Sequence, residues 1–126
     1  MRGYNFFTSI ELDANDCLQE LKNVIKNVKM NGDNDIWVDD KHRSFLWISN
    51  GDFSDFVFTS EEEAAEFKSR IPIESPYVND FETHRSIDLK RFITALVRIY
   101  PELYIYSDED DMIGSAQEFL DKEFDY

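Results

Sequence analysis

The stretch from residue 36 to residue 59 restricts the fold more than any other part of the chain. It contains three short apolar runs, at 36–38, 44–49 and 56–59, separated by a polar segment and by the turn sequence Asn50-Gly51-Asp52. Short runs rich in β-branched and aromatic residues, bounded by Asn, Asp and Gly, are typical of strands joined by hairpins. The pattern predicts three adjacent antiparallel strands.

Four segments carry apolar residues at the spacings of three and four that indicate amphipathic helices. Recognisable caps or stops accompany each of them, including a capping box formed by Ser60 and Glu63. The first predicted helix begins after a cap at Asp13 or Asn15 and ends near Asn31-Gly32, and the second spans 61–70. The third begins after a cap at Ser86 or Asp88 and ends before Pro101. The fourth begins at Ser107 or Asp108.

Three further segments, 4–12, 77–83 and 103–106, are rich in β-prone residues and predict the remaining strands. The resulting order, β-α-βββ-α-β-α-β-α, predicts an α+β fold with about four helices packed on a mostly antiparallel sheet. The sequence has no internal repeat, low-complexity tract or long Gly/Pro/Ser linker. We therefore expect residues 1–126 to form a single domain.

The chain is strongly acidic, with 27 Asp and Glu against 13 Lys and Arg, a formal net charge of −14. The excess is uneven, since residues 102–126 hold nine acids and one base. Phosphate binding requires a surplus of Lys and Arg, so this balance predicts no direct binding of nucleic acid or of an anionic membrane. An aromatic share of 15% indicates that the chain folds despite its charge.

No catalytic or cofactor-binding motif is present. The only histidines, His42 and His84, lack the spacing of zinc ligands. Two acidic segments, starting at Asp33 and Asp108, begin like calcium-binding loops but lack the glycine and the bidentate glutamate of such loops. The single Cys17 excludes an internal disulfide and is expected to be a buried filler. We expect a protein that is not an enzyme and that needs no metal or cofactor.

The sequence also predicts a cytoplasmic protein. No apolar run approaches the length of about 18 residues that a membrane helix needs. The first residues lack the apolar core of a secretory signal. No feature indicates an oligomeric state.

The segment from Tyr104 to Asp111 is the most specific local feature. Strand alternation places Tyr104 and Tyr106 on one face, and four consecutive acids follow: Asp108, Glu109, Asp110 and Asp111. Tyrosines surrounded by carboxylates are suited to binding an Arg/Lys-rich protein surface. Alternatively, the tyrosines are core and the acids complement a helix dipole. Clustered carboxylate oxygens could also hold an adventitious divalent cation.

Asp33, Asp35, Asp39 and Asp40 form a second candidate group on both sides of Trp37. They would extend the same binding surface if the hairpin loops project together. The alternative is that they are ordinary turn aspartates, because Asp is favoured in turns for local hydrogen bonding.

In its size, acidity, aromatic content and lack of a catalytic motif, the whole chain resembles the small acidic immunity proteins of bacterial polymorphic or contact-dependent toxin systems. This resemblance implies a cognate toxin as partner, often a basic nuclease, whose capture opposite charge accelerates. The resemblance assigns no role to any individual residue. Acidic inhibitors that mimic DNA share the same physical logic. The other interpretation is a small regulatory or ligand-binding domain whose acidity serves only solubility.

Overall fold

The computed structural model describes residues 1–38, 43–56 and 58–126. The strands among these residues form one seven-stranded sheet. Every neighbouring pair is antiparallel, and the order across the sheet is β2-β3-β4-β5-β1-β6-β7. The strands are β1 Arg2–Thr8, β2 Val28–Asn31, β3 Asp35–Val38, β4 Ser44–Asp52, β5 Tyr77–Thr83, β6 Tyr104–Ser107 and β7 Met112–Ser115.

Four α-helices accompany the sheet in the described part of the chain, so the predicted α+β class is confirmed. They are α1 Ala14–Lys22, α2 Glu61–Ser69, α3 Ser86–Leu96 and α4 Ala116–Asp121, and a short 3-10 helix, Phe53–Asp55, precedes α2. The strand predicted at 77–83 is present with those bounds. The predicted caps Asp13 and Ser60 are also present, each accepting a backbone N–H from the first helical turn.

The sheet separates two apolar clusters. Helices α1, α3 and α4 cover one face and bury the main core against it, including Phe6, Leu46 and Phe81 of the sheet. On the opposite face, α2 and the 3-10 helix pack over a smaller cluster that includes Phe7 and Val78. The adjacent residues Phe6 and Phe7 of β1 lie in different clusters because successive side chains of a strand point to opposite faces.

The first helix is shorter than predicted, since α1 ends at Lys22 and Val28 begins β2. Val28 and Met30 alternate onto the helix-covered face and pair with Val38 and Ile36 of β3. Gly32, with a φ of 70°, lies in the β2–β3 turn and does not end a helix. The error arose because a spacing of three between Ile25 and Val28 also fits a helix.

In the strand predicted at 56–59, the described residues Phe56, Phe58 and Thr59 are not part of a strand. Phe53–Asp55 form the 3-10 helix, and Phe56 and Phe58 join an aromatic group around Phe67, with ring centroids 5.6 and 5.4 Å from it. The predicted turn at Asn50-Gly51 lies inside β4 as a bulge. Asn50 has a φ of 47°, and its N–H donates to Asn79 Oδ1 at 2.8 Å, which holds the irregularity against β5.

The last helix begins at Ala116, after a capping box of Ser115 and Glu118, and not at Ser107 or Asp108 as predicted. Residues 112–115 instead form β7, which pairs with β6. Asp108–Asp111 are therefore the turn of a hairpin. The helix-dipole explanation of these acids is wrong, because the turn ends well before the first residue of α4.

The cap predicted for the third helix is also wrong. Arg85 occupies the N-cap of α3 without a side-chain hydrogen bond, and Ser86 is the first helical residue. Asp88 turns into the core, where its carboxylate accepts hydrogen bonds from Ser44 Oγ and Arg43 Nε, each at 2.7 Å. Asp88 thus joins the helix to the sheet, because a buried carboxylate requires such partners.

Candidate partner-binding surface

Tyr104 and Tyr106 lie on the same face of β6, as predicted, opposite the buried Leu103 and Ile105. Both tyrosines are half-buried and pack in the smaller cluster. The rings of Tyr106 and Phe67 pack edge to face, with their centroids 4.9 Å apart. The predicted shared face is confirmed, but both rings already pack in the smaller cluster, Tyr106 against α2, and are not free anchors.

The Tyr106 hydroxyl donates to Asp108 Oδ1 at 2.8 Å. Burial, followed by this contact, raises the pKa of Tyr106 to about 12. The phenol is therefore neutral and a donor at physiological pH. Asp108 itself is exposed and borders the sheet face next to Glu82.

Arg2 offsets part of the charge at the β6–β7 turn. Its guanidinium lies 3.3 Å from Glu109 Oε2, 3.5 Å from Asp110 Oδ1 and 3.4 Å from Asp125 Oδ1. The same group stacks over the Tyr126 ring, 4.3 Å from its centroid. The four predicted acids thus divide into Glu109 and Asp110, which pair with Arg2, and the exposed Asp108 and Asp111.

A larger surface lies beside this turn, on the part of the sheet face that α2 leaves open. Direct cross-strand pairs align its side chains in two rows. One row contains Asp35, Trp47, Asp80 and Asn5, and the other contains Lys29, Trp37, Phe45 and Glu82. We name the set Asn5, Asp35, Trp37, Phe45, Trp47, Asp80 and Glu82 the acidic sheet face.

Trp47 is the centre of the acidic sheet face and is 49% exposed. Among the described residues, the other exposed large hydrophobic side chains are Met1, Ile10 and Ile87, none of which is aromatic. Shallow clefts of about 560 and about 320 Å³ flank the indole, and Asn5, Trp47 and Asp80 line both. An exposed tryptophan between clefts is typical of a contact surface.

Asp80 is held in place by Asn5, whose Nδ2 donates to Asp80 Oδ1 at 2.6 Å. Burial raises the pKa of Asp80, and the hydrogen bond from Asn5 opposes that rise. Among the described residues no cationic side chain pairs with Asp80, and a partly desolvated carboxylate of this kind is suited to receive a cation from outside.

Sequence reasoning missed Trp47, Phe45, Asp80 and Glu82. The alternation over 44–49 did contain a signal, because Leu46 and Ile48 occupy the core face and so place Phe45 and Trp47 on the other. The predicted site residues Asp39 and Asp40 lie outside the described residues.

Cys17 is a buried core residue, as the sequence predicts. Burial raises the pKa of Cys17 to about 12, and its thiol lies in the core beside Tyr100. Within residues 1–38, 43–56 and 58–126, no three His, Cys, Asp or Glu side chains are arranged to hold a metal ion. The helices described there are all too short or too polar to cross a membrane.

Comparison with models of known protein families, with curated proteins and with solved structures finds no match to this chain.

Proposed function

We propose that this chain is a non-catalytic protein that binds a basic protein partner and neutralises it, as an immunity protein neutralises its toxin. The supporting observation is Trp47, an exposed aromatic ring set between carboxylates on an uncovered part of the sheet. Aromatic side chains in such positions supply much of the binding energy at protein interfaces.

The distribution of charge supports this choice of partner. Asp35, Asp80 and Glu82 lie on the open face, and Asp108 borders it. Lys29 is a base at the β2 edge of this face, and the helices on the opposite side of the sheet carry acids as well as bases. The net charge of −14 attracts an approaching cationic protein, and the three carboxylates around Trp47 favour contact at the sheet face.

An inhibitor of a basic enzyme fits these features, because a toxin such as a nuclease presents Lys and Arg around its substrate site. The carboxylates would occupy the place of phosphates, and the indole would supply apolar contact area. Fast, charge-steered capture suits a protein that must block an enzyme before it acts.

A small-ligand domain is the second candidate, favoured by the cleft of about 560 Å³ beside Trp47. That volume lies within the range of small-molecule sites, about 300–1,000 Å³. The cleft is open and shallow, whereas such sites enclose most of their ligand. Protection of Trp47 by a metabolite, without any protein partner, would favour this second function.

Affinity capture from cells of the source organism tests the proposal with three baits. They are the wild type, a face variant Asp80→Asn/Glu82→Gln, and a control variant Asp121→Asn/Glu123→Gln, which loses the same charge at the end of α4 and beyond. We expect the wild type and the control to capture a common basic protein that the face variant loses. The purified chain should inhibit that protein's activity. Equal capture by all three baits, or a partner without basic surface, would contradict the proposal.

A further inference from the structure

We infer that Trp47, Asp80 and Asn5 form a binding site for the guanidinium group of an arginine side chain on the partner. The inference rests on the proposed function, which it deepens by naming the chemical group recognised. Its site is the short row in which Trp47 pairs with Asp80 across β4 and β5, and Asp80 pairs with Asn5 across β5 and β1.

Cross-strand pairing brings the indole and two carboxylates together. Asp35 and Asp80 are the direct partners of Trp47 on its two neighbouring strands. The Cα atoms of such partners are about 4.5–5.5 Å apart, and their side chains share a face. A cation over the exposed indole therefore lies within reach of a carboxylate on either side.

The Asp80 carboxylate is already oriented. The hydrogen bond of 2.6 Å from Asn5 Nδ2 fixes one of its oxygens, and Asn5 also offers an amide oxygen as an acceptor. A preoriented acceptor lowers the entropic cost of binding. The clefts on both sides of the indole give a long side chain room to approach.

Guanidinium fits this site better than other ligands. Its plane stacks on an indole while its N–H groups donate to a carboxylate in the same plane, and it is less strongly hydrated than an ammonium group. A divalent cation requires about six oxygen ligands, which a tryptophan does not provide. An anion would be repelled by Asp35 and Asp80. The raised pKa of Asp80 agrees with a carboxylate that has no cationic partner in the described part of the chain.

NMR titration with small probes tests the inference without a protein partner. The probes are N-acetyl-arginine methylamide, its uncharged citrulline analogue and the lysine analogue. The two tryptophans give two indole N–H signals, which a Trp37→Phe variant assigns. We expect the arginine probe to shift the Trp47 signal saturably in the millimolar range. The lysine probe should bind about threefold more weakly and citrulline about tenfold more weakly.

Two variants locate the binding. Asp80→Asn should weaken the arginine probe about tenfold. Asp111→Asn, which removes the same charge from the hairpin turn, should leave its affinity unchanged. Equal responses to arginine and citrulline, equal affinity for lysine, or an unaffected Asp80→Asn variant would overturn the inference. If the face variant loses a basic partner while the arginine probe fails to bind, the inference falls and the proposed function stands. If the arginine probe binds but no basic partner is captured, the guanidinium site stands and the proposed function falls.

Discussion

Trp47 of β4 and Asp80 of β5 are direct cross-strand partners on the open face of the sheet, and the indole is 49% exposed. A large exposed ring adds little to the stability of the fold, and a partly desolvated carboxylate lowers that stability. Both features are explained if the pair contacts a cationic group of another molecule. Sites that bind partners are often less stable than the fold alone would allow.

Asp80→Asn is expected to raise the melting temperature at neutral pH. Burial raises the pKa of Asp80 in the folded state, so the wild type loses stability as the pH rises through that pKa. Below the ordinary pKa of aspartate the side chain is protonated in both states, and the difference should disappear. Thermal unfolding of both proteins between pH 3 and pH 8 measures this difference in melting temperature. Several of the pH values should lie close to the ordinary pKa of aspartate, about 3.9. A difference that does not change with pH would contradict it.

Trp47→Ala should separate binding from folding. Because Trp47 is half exposed, we expect the free energy of unfolding to fall by about 1 kcal/mol or less. Partner affinity should fall about 30-fold, as for a central aromatic contact. Denaturant unfolding and titration calorimetry measure the two effects. Phe92→Ala is the control, since that buried ring should cost about 3–5 kcal/mol of stability.

Asp88→Ala should destabilise the protein strongly. The fully buried carboxylate accepts hydrogen bonds from Ser44 Oγ and Arg43 Nε, and Ser44 Oγ lies 2.6 Å from Thr83 Oγ1. Removing one member of a buried charged pair costs about 3–5 kcal/mol. Urea unfolding at pH 7 measures the loss. Asp111→Asn, at an exposed turn position whose φ of 46° Asn tolerates, should cost much less, and equal losses would show that Asp88 has no special structural role.

Arg2→Ala should loosen the C-terminal residues and the β6–β7 turn together. Arg2 contacts Glu109, Asp110 and Asp125 and stacks on Tyr126. Because the group is only partly exposed, we expect a loss of about 1 kcal/mol, larger at low salt. Hydrogen exchange should show faster exchange in the last residues and in the turn, with α3 unchanged. Unchanged exchange in both segments would contradict a linking role for Arg2.

The fold class followed from local patterns, because turns and apolar alternation are read over a few residues. The first and last predicted helices extend into β2 and β7, because three- and four-residue spacings over a short stretch also fit strands that pair elsewhere. The acidic sheet face was not predictable in the same way. Trp47 and Asp80 become neighbours only when β4 pairs with β5, and Asn5 joins them because β1 inserts between β5 and β6. These pairings are non-local.

The association rate constant of the captured partner, measured by stopped flow against salt concentration, tests the binding role of the acidic sheet face most directly. We expect the wild type and the control Asp121→Asn/Glu123→Gln to associate rapidly at low salt and to slow steeply as salt is added, since the Debye length falls from about 30 Å at 0.01 M to about 8 Å at 0.15 M. The face variant Asp80→Asn/Glu82→Gln should associate severalfold more slowly at low salt and depend less on salt. Identical rates and salt dependence for the face variant and the control would contradict a binding role for this face.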